Sequence, residues 1–232
     1  MANVRGPGFN YDLIRRKGQK RINIRISQAG KVTVSAPSEI PDRQISSTVA
    51  AKRSWVLKHL ENLKANRERN NPLKRLLIEG VPHPVEIIRG KRKRGAVAVA
   101  EGRVVIETPD GKAETARKIL ERWLIKRSRE ELESRTAEIA AKIGIAYKRI
   151  YFRNQRTRWG SSSGRGNISY NWRIIMTPPP VQDYLIIHEL CHQRYLNHSP
   201  DYWKLVERYF PGYREAERWL KANRGIMGLF RE

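Results

Sequence analysis

His188-Glu189-Leu190-Cys191-His192 spell H-E-x-x-H. On a helix, residues four apart lie about 40° apart around the axis, so both imidazoles can reach one metal ion. Glu189, one position on, is placed to take a proton from a water on that ion without being a ligand itself. Zinc suits such a donor set, and three protein ligands leave the open position that distinguishes a catalytic site from a structural one. A zinc ion lowers the pKa of its water toward about 7 and polarises a substrate oxygen. The neighbours Tyr184, Leu185, Ile186, Ile187 and Leu190 make this a buried helix, where unliganded histidines would be costly.

The third ligand has to come from outside the helical repeat. His198 is six residues beyond His192 and would be about 120° off the face of a continuous helix. A helix end before it is therefore expected, with Asn197 in a left-handed position. Ser199-Pro200 then reads as N-cap and first residue of the next helix. His198 at this elbow is favoured by spacing, and Glu207 and Glu215 on the following helices remain competitors. Cys191 points to another helix face and reads as core, as do Tyr202 and Trp203, with Tyr202 able to support the site. His59 and His83 read as ordinary surface or packing residues.

The elements that must position this motif follow from periodicity. Residues 21–35 alternate around Ala29-Gly30 as a hairpin. Pro41-Asp42 opens a helix to about Asn66, with Ile45, Val49, Trp55, Val56 and Leu60 as its apolar stripe. Asn70-Asn71-Pro72 marks a border. Short strands return over Val81–Thr108, with Lys91–Arg94 reading as a hairpin tip, and a long helix spans 113–143, stopped by Gly144. Strands are expected over Tyr147–Arg153 and Asn167–Ile175, separated by a loop from Trp159 to Gly166. Helices over 180–196, 200–209 and 212–222 complete the chain. No repeat of fixed period is visible, although two strand-then-helix passes occur. The expected organisation is a hairpin-plus-helix region (1–70), a second hairpin region with a long helix (71–143) and a catalytic core (144–232).

The 232 residues allow one large or two small domains. With 39% hydrophobic and 30% charged residues the composition is globular, and no apolar run is long enough to cross a bilayer. A start without an apolar h-region and a single cysteine, Cys191, point to a reducing cytoplasm. The net charge of +24 attracts phosphates, nucleic acid or acidic proteins, but it is spread along the chain.

Arg158-Trp159-Gly160-Ser161-Ser162, Asn171-Trp172-Arg173, the H-E-x-x-H segment and Asn197-His198-Ser199 with Trp203 together resemble the YgjP-like metallopeptidase family. The family's cysteine after Gly-Ser is here Ser162, so no role for that thiol carries over. The resemblance implies an α+β fold with a zincin-like catalytic domain, a small antiparallel sheet and an H-E-x-x-H helix, preceded by hairpins and a helix. It also supports His198 as third ligand. A distant likeness to SprT-type proteases rests on the metal motif alone. The metzincin spacing is convergent, because Tyr195 stands where their turn has glycine and Met227 lies in a tail expected to fray.

The leading expectation is a zinc metallopeptidase with His188, His192 and His198 as ligands and Glu189 as general base, its peptide substrate pairing with the strand at Asn167–Ile175. Arg173, Tyr195 and Tyr202 are oxyanion candidates. Two alternatives stand beside it: a metal-dependent nucleoside triphosphate pyrophosphohydrolase, and a nucleic-acid-binding protein with a structural zinc.

Overall fold

In the computed structural model the chain forms two compact units, Met1–Asn70 and Asn71–Arg231, and the structure describes residues 2–27, 29–69 and 71–230. Asn70, part of the expected border, lies outside the described residues.

The first unit is a four-stranded sheet with helices. Strands β1 (Ala2–Arg5), β2 (Asn10–Arg16), β3 (Asn23–Ile26) and β4 (Val32–Pro37) lie in the order β1-β2-β4-β3. The expected hairpin is β3–β4, in which Ile24 faces Val34 and Ile26 faces Val32. The two preceding strands were not foreseen, and β2 runs parallel to β4 with Leu13 beside Val34. The helix expected to run from 42 to 66 is broken into α1 (Asp42–Ala51) and α2 (Arg53–Arg69). Ile45, Val49 and Val56 are buried with Tyr11, Val32, Val34 and Ala36, and Leu60 packs against them. Trp55 departs from the expected stripe and is 50% exposed. The stripe itself keeps its phase across Lys52, since Ile45, Val49, Val56 and Leu60 stay on one face; Trp55, about 80° from Ile45 around the axis, lies at its side.

The second unit begins with the same topology. Strands β5 (Arg75–Ile78), β6 (Val81–Arg89), β7 (Ala96–Ala100) and β8 (Arg103–Thr108) form the order β5-β6-β8-β7. As in the first unit, the pairings are antiparallel, parallel, antiparallel. Lys91–Arg94 is thus not a hairpin tip. It lies in the connection from β6 to β7, which are not neighbours, because β8 lies between them. The actual β7–β8 tip is Glu101-Gly102, both at positive φ. Helix α3 (Ala113–Ile143) follows, and Gly144 closes it at φ +66 with its N–H donating to Ala141 O.

A third sheet carries β9 (Arg149–Arg153), β10 (Gly160–Ser162) and β11 (Asn167–Asn171) in the order β10-β11-β9. This sheet was expected to be antiparallel; it is mixed, since β9 and β11 run parallel with β10 intervening in the chain. The strand expected to reach Ile175 stops at Asn171, whose side chain accepts from Arg173 N and caps a 3-10 segment, Trp172–Met176. Helices α4 (Pro179–Cys191), α5 (Pro200–Tyr209) and α6 (Tyr213–Ala222) complete an α+β architecture. The tail does not fray: Ile226, Met227 and Phe230 are buried, and Phe230 packs on Trp172 at 5.5 Å. One hydrophobic core runs from Leu76 on β5 to Phe230.

Candidate metal centre

Helix α4 is held at both flanks. At its start, Gly80 N–H donates to Met176 O across 2.9 Å, and Gly80 lies so close to Pro178 that a Cβ there would sit 2.5 Å from the proline ring. Along its side, Arg135 of α3 donates to Asp183 at 2.5 Å and to Pro179 O at 3.3 Å. The proline at N1 and the buried run Tyr184–Ile187 make α4 the central helix of this core.

The helix ends earlier than its periodicity predicts, at Cys191, and hydrogen-bonded turns continue to Tyr195. Asn197 is not left-handed. The turns at Gln193, Arg194 and Tyr195 reverse the chain instead, through bonds to Leu190 O and Cys191 O. Ser199 then caps α5, accepting from Tyr202 N, with Pro200 next.

This geometry brings His188, His192 and His198 together: one ring nitrogen from each lies within 4.8 Å of the others. The Nε2 atoms of His188 and His198 are 3.3 Å apart. Among the described residues no other histidine, cysteine or carboxylate joins them. Glu207 and Glu215 are exposed and outside the group.

Each imidazole leans on an aromatic ring. His192 stacks on Tyr202 (centroids 4.5 Å apart, planes at 23°), His198 on Trp203 (5.5 Å, 26°), and His188 meets the Tyr184 ring edge-on at 5.6 Å. His192 Nδ1–H donates to Tyr195 O at 3.0 Å, which leaves its Nε2 lone pair free for an ion. His188 Nδ1 contacts the Tyr184 hydroxyl at 3.2 Å, again leaving Nε2 to the centre. Burial pushes the His188 pKa down to about 3, helped by the neighbouring imidazoles, so the ring is neutral as a ligand must be.

Glu189 is 3% exposed, and its Oε2 is a buried oxygen with no hydrogen-bond partner among the described residues. Burial pushes its carboxyl up to about 8, against the opposing charge of Arg158. Gly160 on β10 passes directly over it, such that a Cβ would lie 2.4 Å from Oε1. This contact was missed at the level of sequence, where the Trp159–Gly166 segment reads as loop; the glycine was the available signal, since a strand glycine marks close approach. Gln193 donates to Ser162 Oγ and ties β10 to the turn after α4.

The oxyanion candidates fare differently. Arg173 is fully buried, and its guanidinium donates to Leu229 O and Asn154 Oδ1 and stacks on Trp172, which makes it an anchor for the tail. The Tyr202 hydroxyl donates to His188 O at 3.1 Å. Tyr195 keeps an exposed ring. Cys191 is buried in the core, which pushes its thiol up to about 12.

A family model described as YgjP-like, metallopeptidase domain, matches residues 20–223. The chain belongs to the YgjP-like family. No match was found among curated proteins or among solved structures. YgjP-like membership makes the chain a metal-dependent peptidase in general terms and implies a metal ion. The residues present fit one: three converging imidazoles, two of them (His188 and His192) oriented by partners on their other nitrogens, beside a carboxyl group with an unused buried oxygen. No helix is long and apolar enough to cross a membrane among the described residues.

Proposed function

We propose that this YgjP-like chain is a zinc metallopeptidase in which His188, His192 and His198 hold the ion and Glu189 is the general base. The observation that carries the reading is the 3.3 Å spacing of the His188 and His198 Nε2 atoms. Two zinc–nitrogen bonds of about 2.0–2.1 Å meeting at a tetrahedral angle span about 3.3–3.4 Å.

When bound, zinc makes a water acidic near neutral pH and polarises the scissile carbonyl. The protein's own groups supply the rest. With a cation held by the neighbouring imidazoles to favour its ionised form, Glu189 would take the proton of the attacking water on its unpartnered oxygen and deliver it to the leaving amine. Tyr202 and Trp203 hold the imidazoles in place by stacking, and the Tyr202 hydroxyl fixes the end of α4 through His188 O. The bare glycine of β10 lets the strand's backbone lie directly against the carboxyl group. β11, the strand first expected to receive the peptide, is flanked by β10 and β9, and of these two outer strands β10, which lies against Glu189, is the receiving edge. The compartment consistent with the single buried cysteine is the cytoplasm.

The test compares the zinc-loaded protein with Glu189→Gln on a library of unstructured peptides. Cleavage by the parent, lowered about 10²–10⁴-fold in a variant that still binds one equivalent of zinc, is expected. A variant that keeps its zinc and cleaves at the parental rate would overturn the mechanism.

A further inference from the structure

The two sheet-and-helix repeats differ in what covers their helices. Arg53-Ser54-Trp55-Val56-Leu57-Lys58-His59 in the first corresponds to Glu121-Arg122-Trp123-Leu124-Ile125-Lys126-Arg127 in the second. In each, the tryptophan precedes a fully buried aliphatic residue, Val56 or Leu124. In each, it stacks with the residue four positions on: His59 lies 5.7 Å from Trp55 at 22°, and the Arg127 guanidinium lies 5.6 Å from the Trp123 ring. In the second repeat the pair is in use. Trp123 packs against the hydrophobic core, and Arg127 bonds Glu79 at 2.8 Å and also Glu131.

In the first repeat the same place is uncovered. Trp55 is 50% exposed and belongs to no hydrophobic cluster among the described residues, and His59 is exposed beside it. Lys52 and Lys58, three residues to either side of Trp55, are exposed and form no ion pair among the described residues. Asn62, on the same helix face, is exposed as well.

We propose that this face of α2 binds a single-stranded polynucleotide, a base extending the Trp55–His59 stack and the flanking phosphates taken by Lys52 and Lys58. The chemistry selects this occupant. A protein partner needs an apolar patch broad enough to desolvate a core, whereas here one aromatic pair stands among ammonium and amide groups. A base needs only a π-face, and its backbone needs the cations. Elsewhere in the unit, Arg16, Lys17, Lys20 and Arg21 follow one another around the β2–β3 connection, and the chain as a whole carries +24. The proposal is independent of the peptidase reading, whose residues lie in the other unit.

Fluorescence anisotropy of the full chain with a labelled oligonucleotide of roughly 12 uridines, the matching thymidine strand, and a duplex tests it. Binding of either single strand in preference to the duplex is expected. Trp55→Ala weakens it about tenfold or more while Trp55→Phe retains most of it. Lys52→Gln with Lys58→Gln lowers the log–log salt slope by about 1.4, the value for two phosphate contacts on a single strand. The thermal midpoint of each variant establishes folding, and the Phe and Gln variants carry the reading if Trp55→Ala does not fold. Equal affinity of Trp55→Ala and parent, tighter binding of the duplex, or displacement by polyglutamate at equal charge would each overturn the proposal, the last in favour of an acidic protein.

Discussion

Gly160 sets the approach of β10 to Glu189, and its missing side chain is the most sensitive atom count in the centre. Gly160→Ala would drive a methyl group to 2.4 Å from Oε1. Peptide turnover is therefore expected to fall at least about tenfold through displacement of the carboxylate, since misplacement of about 1 Å can cost 10²-fold. Zinc content measured by elemental analysis should remain at one equivalent, because no ligand is touched; loss of zinc would place the glycine's role elsewhere. At this scale the sequence was most legible. Two imidazoles four apart and a third beyond a helix end are encoded locally, and the structure gathers the three. Arg173 was not legible, because nothing local distinguishes an arginine that reaches into a cleft from one buried against Trp172 and holding Leu229 O. One partner, Leu229, is brought to it by the tail, 56 residues away, and another, Asn154, lies 19 residues before it.

Among the elements, long periodic helices were readable and strand pairing was not. Helix α3 fits its expected span because its stop, Gly144, is a local signal. The break at Lys52 is not legible because both sides favour helix and the apolar stripe runs through it in phase. The parallel β2–β4 and β6–β8 pairings join strands that are not consecutive, which no local pattern announces. Two glycines separate the backbone and contact contributions. Gly144 has φ +66 and nothing within 4 Å of a built Cβ, so Gly144→Ala should cost about 1–2 kcal/mol from backbone strain alone. Gly80 has φ +81 and faces the Pro178 ring at 2.5 Å, so Gly80→Ala should cost about 1–3 kcal/mol more. Denaturant midpoints of the two variants measure the difference; equal losses would show that the turn yields freely and does not fix the start of α4.

For the molecule as a whole, each unit has its own hydrophobic core, and all three imidazoles belong to the second. Chelation should lower the thermal midpoint, since an ion that binds only the native state at a hundred times its dissociation constant adds about 2.7 kcal/mol. A midpoint unmoved by chelation followed by zinc return would mean that the centre does not hold the ion. The brevity of the 188–198 segment bears on how far that gain can grow. Its ligands are neighbours along the chain as well as in space, so even a denatured polypeptide presents them as a loose chelating peptide. Excess zinc then begins to reward the unfolded ensemble too, and stabilisation should level off with rising zinc concentration instead of climbing logarithmically.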